Sequence, residues 1–174
     1  MTIIVAIAIT GSGVQRMTAL HLNELSNQTW KLFLTTHVMV IEQIERDLAA
    51  ANLPPLSWYG VLWTLEKAPD HEMRLHELAE QVLLSRSNIT RLIDRLEEAE
   101  LLCRKRCPRD RRGAYAVLTE AGLAMRQQMW AIYSQGIARY FAKQLNAEEM
   151  NTLNQAFQQI LAAVKETPVA ALGE

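Results

Sequence analysis

Two short runs of helical periodicity stand back to back between residues 75 and 96, leaving only Leu83 and Leu84 to turn the chain between them. The first run places Leu75, Leu78, Ala79 and Val82 on one face. The second starts behind a candidate N-cap, Ser85, and lines up Ile89, Leu92, Ile93 and Leu96. Its opposite face carries Arg86, Ser87, Thr90, Arg91, Asp94 and Arg95, all able to hydrogen-bond. Two short helices joined this tightly make a helix-turn-helix.

The segments on either side complete an architecture. Leu102 to Arg106 and Tyr115 to Leu118 read as strands. The connection Pro108-Arg109-Asp110-Arg111-Arg112-Gly113 supplies the turn formers and a cationic tip, so a β-hairpin follows the second helix. Upstream, Trp30, Phe33, Leu34, Val38, Ile41, Ile44 and Leu48 form one stripe of a long helix over Thr18 to Asn52, which Leu53-Pro54-Pro55 ends. Ser57 is a candidate cap for a short helix through Val61, Leu62 and Leu65, stopped at Ala68-Pro69. Downstream, Thr119 caps a helix with Leu123, Met129, Ile132, Tyr133, Ile137, Tyr140 and Phe141 on its apolar face. Asn146-Ala147-Glu148-Glu149 has capping-box spacing for a last helix, striped by Met150, Leu153, Phe157, Ile160, Leu161 and Val164. The expected fold is mainly α: a winged helix-turn-helix with a two-stranded β-hairpin wing and flanking helices. Few glycines and prolines, seven and five in 174 residues, agree with a helical chain.

Net charge is −1, yet its distribution is uneven. Arg86 to Arg112 holds nine Arg or Lys against five acids, a local +4, and the remainder carries −5. A basic surface on a mildly acidic body is what phosphate binding needs. An α-helix fits the DNA major groove, where Arg pairs with guanine and Ser or Thr bonds several bases. The N-terminal part of the second helix of such a motif lies closest to the bases. That selects Ser87, Asn88, Thr90 and Arg91 for reading, and Arg86 and Arg95 for phosphates. Arg109, Arg111 and Arg112 on the wing suit the narrow, electronegative minor groove, with Asp110 able to pair with Arg112 or a neighbour and fix the loop. The terminal helical regions carry more apolar positions than one small winged-helix core can cover, including Leu20, Leu22, Leu25, Phe157, Ile160, Leu161 and Val164. A two-fold homodimer is the expected consequence, reading a pseudo-palindromic operator with two recognition helices about one DNA turn apart.

Leu78-Ala79, then Ser85, Thr90-Arg91-Leu92, Asp94-Arg95-Leu96-Glu97, Asp110-Arg111-Arg112-Gly113, Leu118-Thr119 and Gly122 resemble, in order and spacing, the signature of the MarR (multiple antibiotic resistance regulator) family. The resemblance spans about residues 18–165. It implies a homodimeric DNA-binding transcriptional regulator, usually a repressor, whose first and last helices form the dimer interface. It also implies that Asp110 and Arg112 are the wing's Asp-x-Arg, with Arg112 in the minor groove, and that Ser87, Thr90 and Arg91 are recognition-helix positions. Family members commonly have Gly just after that helix, where this chain has Glu100. A left-handed residue there would cost a non-glycine about 1 kcal/mol. Relatives often respond to small phenolic or lipophilic compounds, for which His37, Trp58, Tyr59, Trp63, Trp130 and Tyr133 are candidate effector-binding residues.

The division expected is 1–16 an N-terminal appendage, 17–56 and 119–166 the helical dimerisation region, and 57–118 the DNA-binding region. The apolar stretch Thr2 to Thr10 is too short to span a membrane, and Met17 is a candidate initiator. Two cysteines make no disulfide framework, and the cytoplasm is the expected compartment. Cys103 and Cys107 flank Arg104-Lys105-Arg106, cations that favour thiolate, so a redox-responsive regulator is one alternative. Along a straight strand they lie ~13 Å apart, too far for a disulfide within it. A winged-helix protein-interaction module is the other. His21, His37, His71 and His76 are dispersed, so no metal site is expected. Nor is a cofactor or a catalytic residue: phosphate-loop, nucleophile-elbow and metalloprotease motifs are missing from the sequence.

Overall fold

The computed structural model describes residues 22–82, 86–107 and 110–166, with the side chains of 86, 87, 106, 107 and 110–113 excepted. Nine principal elements run in the order α1 (Glu24–Ala50), α2 (Leu56–Lys67), β1 (Glu72–Arg74), α3 (Leu75–Gln81), α4 (Arg86–Glu98), β2 (Leu102–Cys107), β3 (Asp110–Leu118), α5 (Glu120–Tyr140) and α6 (Ala147–Glu166). The chain divides after Thr36 into two units. The first holds the beginning of α1, where Trp30 and Phe33 lie with ring centroids 5.6 Å apart.

The second unit has two cores. One gathers Val61, Leu62 and Leu65 of α2, Leu78 and Ala79 of α3, and Leu102, Ala116 and Leu118 of the sheet around α4. Ile89, Leu92, Ile93 and Leu96 are all buried, so the apolar face read from the sequence seats α4. A fully buried leucine or isoleucine contributes about 1.5–3 kcal/mol, which makes this seat the main determinant of where α4 sits. The second core joins Ile44 and Leu48 of α1, Tyr59 of α2 and Met129 of α5, with Trp58 and Met125 packed against both. Helix α5 approaches α1 closely because Gly136 has no side chain: a Cβ there would lie 2.7 Å from Ile44 Cγ1.

Element ends follow local chemistry. Helix α1 closes with Asn52 at φ 56°, and Leu53 N–H donates to the Leu48 carbonyl at 2.9 Å before Pro54 and Pro55 bar further helix. Ser57 does not cap α2, contrary to the sequence reading. The helix begins two residues earlier than that cap implies, with Pro55 at the N-cap position, and the Glu45 carboxylate of α1 accepts the Leu56 N–H at 3.0 Å. A carboxylate from another helix thus fills the role assigned to a local hydroxyl. Thr119 does cap α5, accepting from Gly122 N–H at 3.0 Å. Asn146 and Glu149 form the reciprocal capping box of α6. The expected cap Ser85 and the turn residues Leu83 and Leu84 lie outside the described residues, as do 1–16 and Arg109.

The expected hairpin is β2–β3, and β1 adds a strand that the sequence reading did not include, giving an antiparallel sheet in the order β1-β3-β2. Three residues, Glu72 to Arg74, are too few to show alternation, and β1 exists by pairing with β3 (Met73 opposite Ala116). The hairpin connection is shorter than expected. Asp110 already pairs with Cys107, while Arg106 pairs with Ala114. Arg111, Arg112 and Gly113 are therefore extra residues of β3, a bulge rather than a free tip.

Candidate nucleic-acid interface

Helix α4 has the two faces that a major-groove reader requires. With the apolar side seated, Asn88, Thr90, Arg91, Asp94 and Arg95 are exposed. Arg91 and Arg95 meet no carboxylate among the described residues, whereas the nearby cations of the sheet do. Arg104 of β2 binds Asp94 and Glu97, and Lys105 binds Glu72 at 2.8 Å. Among the described residues, the cations of this stretch are thus divided between two engaged in the scaffold, Arg104 and Lys105, and two turned outward, Arg91 and Arg95. Sequence reasoning counted Arg104 only as charge. Its signal was present in two acids one turn apart on the helix preceding a strand that carries Arg at an inward position.

The alternation of the sheet sets these roles. Lys105, Tyr115 and Arg74 stand in one cross-strand row, with Arg74 Nε donating to Tyr115 Oη at 3.2 Å and its guanidinium 5.5 Å from the ring centroid. Arg104 stands in the next row, opposite buried Ala116, and turns to α4. Burial works against the Arg104 charge, but the hydrogen bonds it donates to Asp94 and Glu97 more than offset it, holding the guanidinium above its ordinary range. Glu72 raises Lys105 by hydrogen bond and charge. Cys103 is exposed and in no disulfide, opposite Val117. The Cys107 side chain is outside the described residues, as are those of Arg86, Ser87, Asp110, Arg111 and Arg112.

Two grooves flank α4. One of about 290 Å³ runs between Pro55, Ser57 and Trp58 of the α2 start and Asn88, Arg91 and Arg95. The other, about 310 Å³, is bordered by His76 and Ala79 of α3, Thr90 and Arg104.

Of the six aromatic and histidine positions selected for an effector, three come together. Tyr59 stacks on Trp130 at 6.0 Å, and Tyr133 meets Tyr59 edge-on at 5.0 Å and Trp130 at 5.9 Å. Arg126 of α5 pairs beside them with Glu66 of α2, leaving Arg126 Nε and Glu66 Oε2 buried without a hydrogen-bond partner among the described residues. Burial raises the Tyr59 phenol, with Arg126 working in the opposite direction, and burial also raises Tyr133. Trp58 packs between the two cores and borders the 290 Å³ groove. Trp63 is 46% exposed on α2, and His37 is exposed on α1. Among the described residues no three His, Cys, Asp or Glu side chains are grouped to hold a metal ion, and no helix is long and apolar enough to cross a membrane.

Known proteins repeat this arrangement. The MarR family model matches residues 56–113. The helix-turn-helix-type transcriptional regulator YkoM of Bacillus subtilis (strain 168) is 27% identical over 130 residues, 75% of this chain and 82% of the relative. The crystal structure of AbsC, a MarR family transcriptional regulator from Streptomyces coelicolor, aligns with a TM-score of 0.76 at 28% identity, covering 84% of this chain and 99% of AbsC. Sco3205, another MarR family regulator from that organism, was crystallised in complex with DNA. It shares the fold with a TM-score of 0.77 at 23% identity, over 88% of this chain and 96% of its own. The element order agrees with these folds: residues 56–113 carry the region that the MarR family model describes, and over most of its length the chain is similar to MarR family transcriptional regulators.

Proposed function

We propose that the chain is a homodimeric, sequence-specific DNA-binding transcriptional regulator of the cytoplasm, a repressor of a pseudo-palindromic operator from which a small aromatic or lipophilic effector releases it. The observation that carries this reading is α4: its apolar face is fully seated while Asn88, Thr90, Arg91 and Arg95 face outward. In it, Ser87, Asn88, Thr90 and Arg91 read bases, and Arg86 and Arg95 hold phosphates. Arg109, Arg111 and Arg112 enter the minor groove, with Asp110 orienting Arg112. Residues 57–118 form the DNA-binding region, 17–56 and 119–166 the dimerisation region, and 1–16 an appendage. The complex of Sco3205 with DNA supports the docking mode for this fold. The cluster of Tyr59, Trp130 and Tyr133 beside Arg126 supports an effector with an aromatic body and a polar end.

Fluorescence anisotropy on the DNA upstream of the chain's own gene, at several salt concentrations and with scrambled competitor, tests the reading. Salt-sensitive binding that outcompetes scrambled DNA and is lost in Arg112→Ala is expected. Small phenols should release the DNA in the same assay. No binding to that fragment or to random DNA at low salt would overturn DNA binding.

A further inference from the structure

Asp94 and Glu97 stand one turn apart on α4, and Arg104 reaches both from β2, donating through one guanidinium nitrogen to each. The second Glu97 oxygen accepts the Arg104 backbone N–H at 2.9 Å, so this carboxylate holds the residue by its main chain and its side chain together. The Arg104 side chain is 30% exposed and keeps its charge. The apolar contacts of Ile89, Ile93 and Leu96 fix how deep α4 sits, but such contacts are not directional. A rotation of α4 by about 10° about its axis moves a side-chain tip roughly 1 Å at the usual helix radius. That exceeds the ~0.5 Å to which a recognition constellation must be held. Thr90 and Arg91 lie one turn before Asp94 on the exposed side and would be displaced by the full arc of such a rotation.

We propose that Arg104 is a positioning residue for operator recognition: by clamping Asp94 and Glu97 it fixes the rotation of α4 against β2, so that base-reading helix and wing meet DNA in one register. The inference rests on the DNA-binding reading above. The clamp also offsets one of the two negative charges that Asp94 and Glu97 would otherwise present beside the phosphates.

The Asp94→Asn/Glu97→Gln double variant separates positioning from charge. It weakens the clamp by replacing its charged acceptors with neutral ones, halves the oxygens able to accept, leaves Arg104 cationic and deletes two negative charges. If Arg104 acted only as a phosphate contact, the variant would bind all DNA more tightly with its sequence preference intact. Positioning predicts instead that affinity for a scrambled duplex holds or rises, while preference for a duplex selected by the wild-type chain falls about tenfold. Arg104→Lys, which cannot bridge both carboxylates in one plane, should lose preference to a smaller extent and decides the matter if the double variant fails to fold. Hydrogen exchange of the Arg104 amide without DNA supplies an independent readout and should quicken in the double variant at an unchanged melting temperature. Unchanged exchange would overturn the clamp, and unchanged preference in a variant of a discriminating wild type would overturn the positioning role alone. A wild type with no preference for any duplex would overturn the DNA-binding reading, and this inference with it.

Discussion

Gly122 of α5 lies so close to Leu101 that a Cβ there would stand 1.9 Å from the Leu101 carbonyl oxygen. The same carbonyl accepts the Thr119 N–H at 3.2 Å, and the Thr119 hydroxyl donates to the Glu100 carbonyl at 2.8 Å. The exit of α4 and the entry of α5 are thus locked through backbone groups, which no rotamer change can move aside. Gly122→Ala is expected to destabilise the chain by about 1–3 kcal/mol, the cost of overpacking. Urea unfolding measures it, and a loss within 0.5 kcal/mol, the range of ordinary surface changes, would contradict so tight an approach.

Glu100 has φ 59°. Its N–H donates to the Glu97 carbonyl at 2.9 Å and the Leu101 N–H to that of Leu96 at 3.0 Å, the pattern that ends a helix on a left-handed residue. Both Leu96 and Leu101 are buried, so the hydrophobic contact that accompanies the motif holds a glutamate where glycine would be unstrained. The exit of α4 is therefore the one expected of the family, with the strain retained. Glu100→Gly should raise stability by about 0.5–1 kcal/mol, after subtracting the extra freedom of glycine in the unfolded chain. A lowered melting temperature would show that the side chain contributes more than its strain costs.

Much of this fold is written in short-range patterns. Ile89, Leu92, Ile93 and Leu96 announced the buried face of α4, and Thr119 and Asn146 announced the starts of α5 and α6, because periodicity and capping act within a few residues. What was not legible depends on partners distant in sequence. Glu45 caps α2 from 11 residues away, and Lys105 finds Glu72 from 33 away. Strand β1 has no signal beyond the edge of β3 that it covers. Tyr59, Trp130 and Tyr133 were selected for chemistry alone, and it is the packing of α2 on α5 that brings them together while leaving Trp63 outside.

That packing has a consequence for alkaline pH. Burial raises both the Tyr59 and Tyr133 phenols, so the folded chain holds these protons more tightly than the unfolded one. Their contribution is fully present below the ordinary tyrosine value of about 10 and is lost as pH rises past it through the folded values. Stability should therefore fall steeply above that point, and Tyr59→Phe should flatten the fall while removing a late component from the tyrosinate titration. An unchanged alkaline limb in both Tyr59→Phe and Tyr133→Phe would count against this assignment.

The outward cations of α4 should separate by position. Arg95 lies one turn beyond Arg91 and suits a phosphate, so Arg95→Ala should weaken binding to all duplexes alike and reduce the salt slope by about 1. Arg91 is placed for a base edge, so Arg91→Ala should cost about 1–3 kcal/mol on the selected duplex and relax preference at one position. Anisotropy titrations of both variants on matched and singly substituted duplexes measure this. Equal losses on every duplex for Arg91→Ala would reassign it to the backbone.

Helix α6 has no buried residue across its 20 positions, although Phe157, Ile160, Leu161 and Val164 repeat at helical spacing and are 36–67% exposed. A helix of that length gains little from propensity and needs an apolar surface to hold its stripe. A second copy of the chain supplies one under the proposed function, and two-fold pairing would make the same stripe self-complementary. Leu161→Glu places a charge in the middle of it. Sedimentation should then report monomers in place of dimers. Operator affinity should collapse, because two half-sites would no longer be engaged together. Far-UV circular dichroism should show helix loss confined to a small fraction of the whole, since neither core of the second unit draws on α6. A variant that stays dimeric with operator affinity intact would move the dimer interface elsewhere and leave the exposed stripe of α6 in need of another partner.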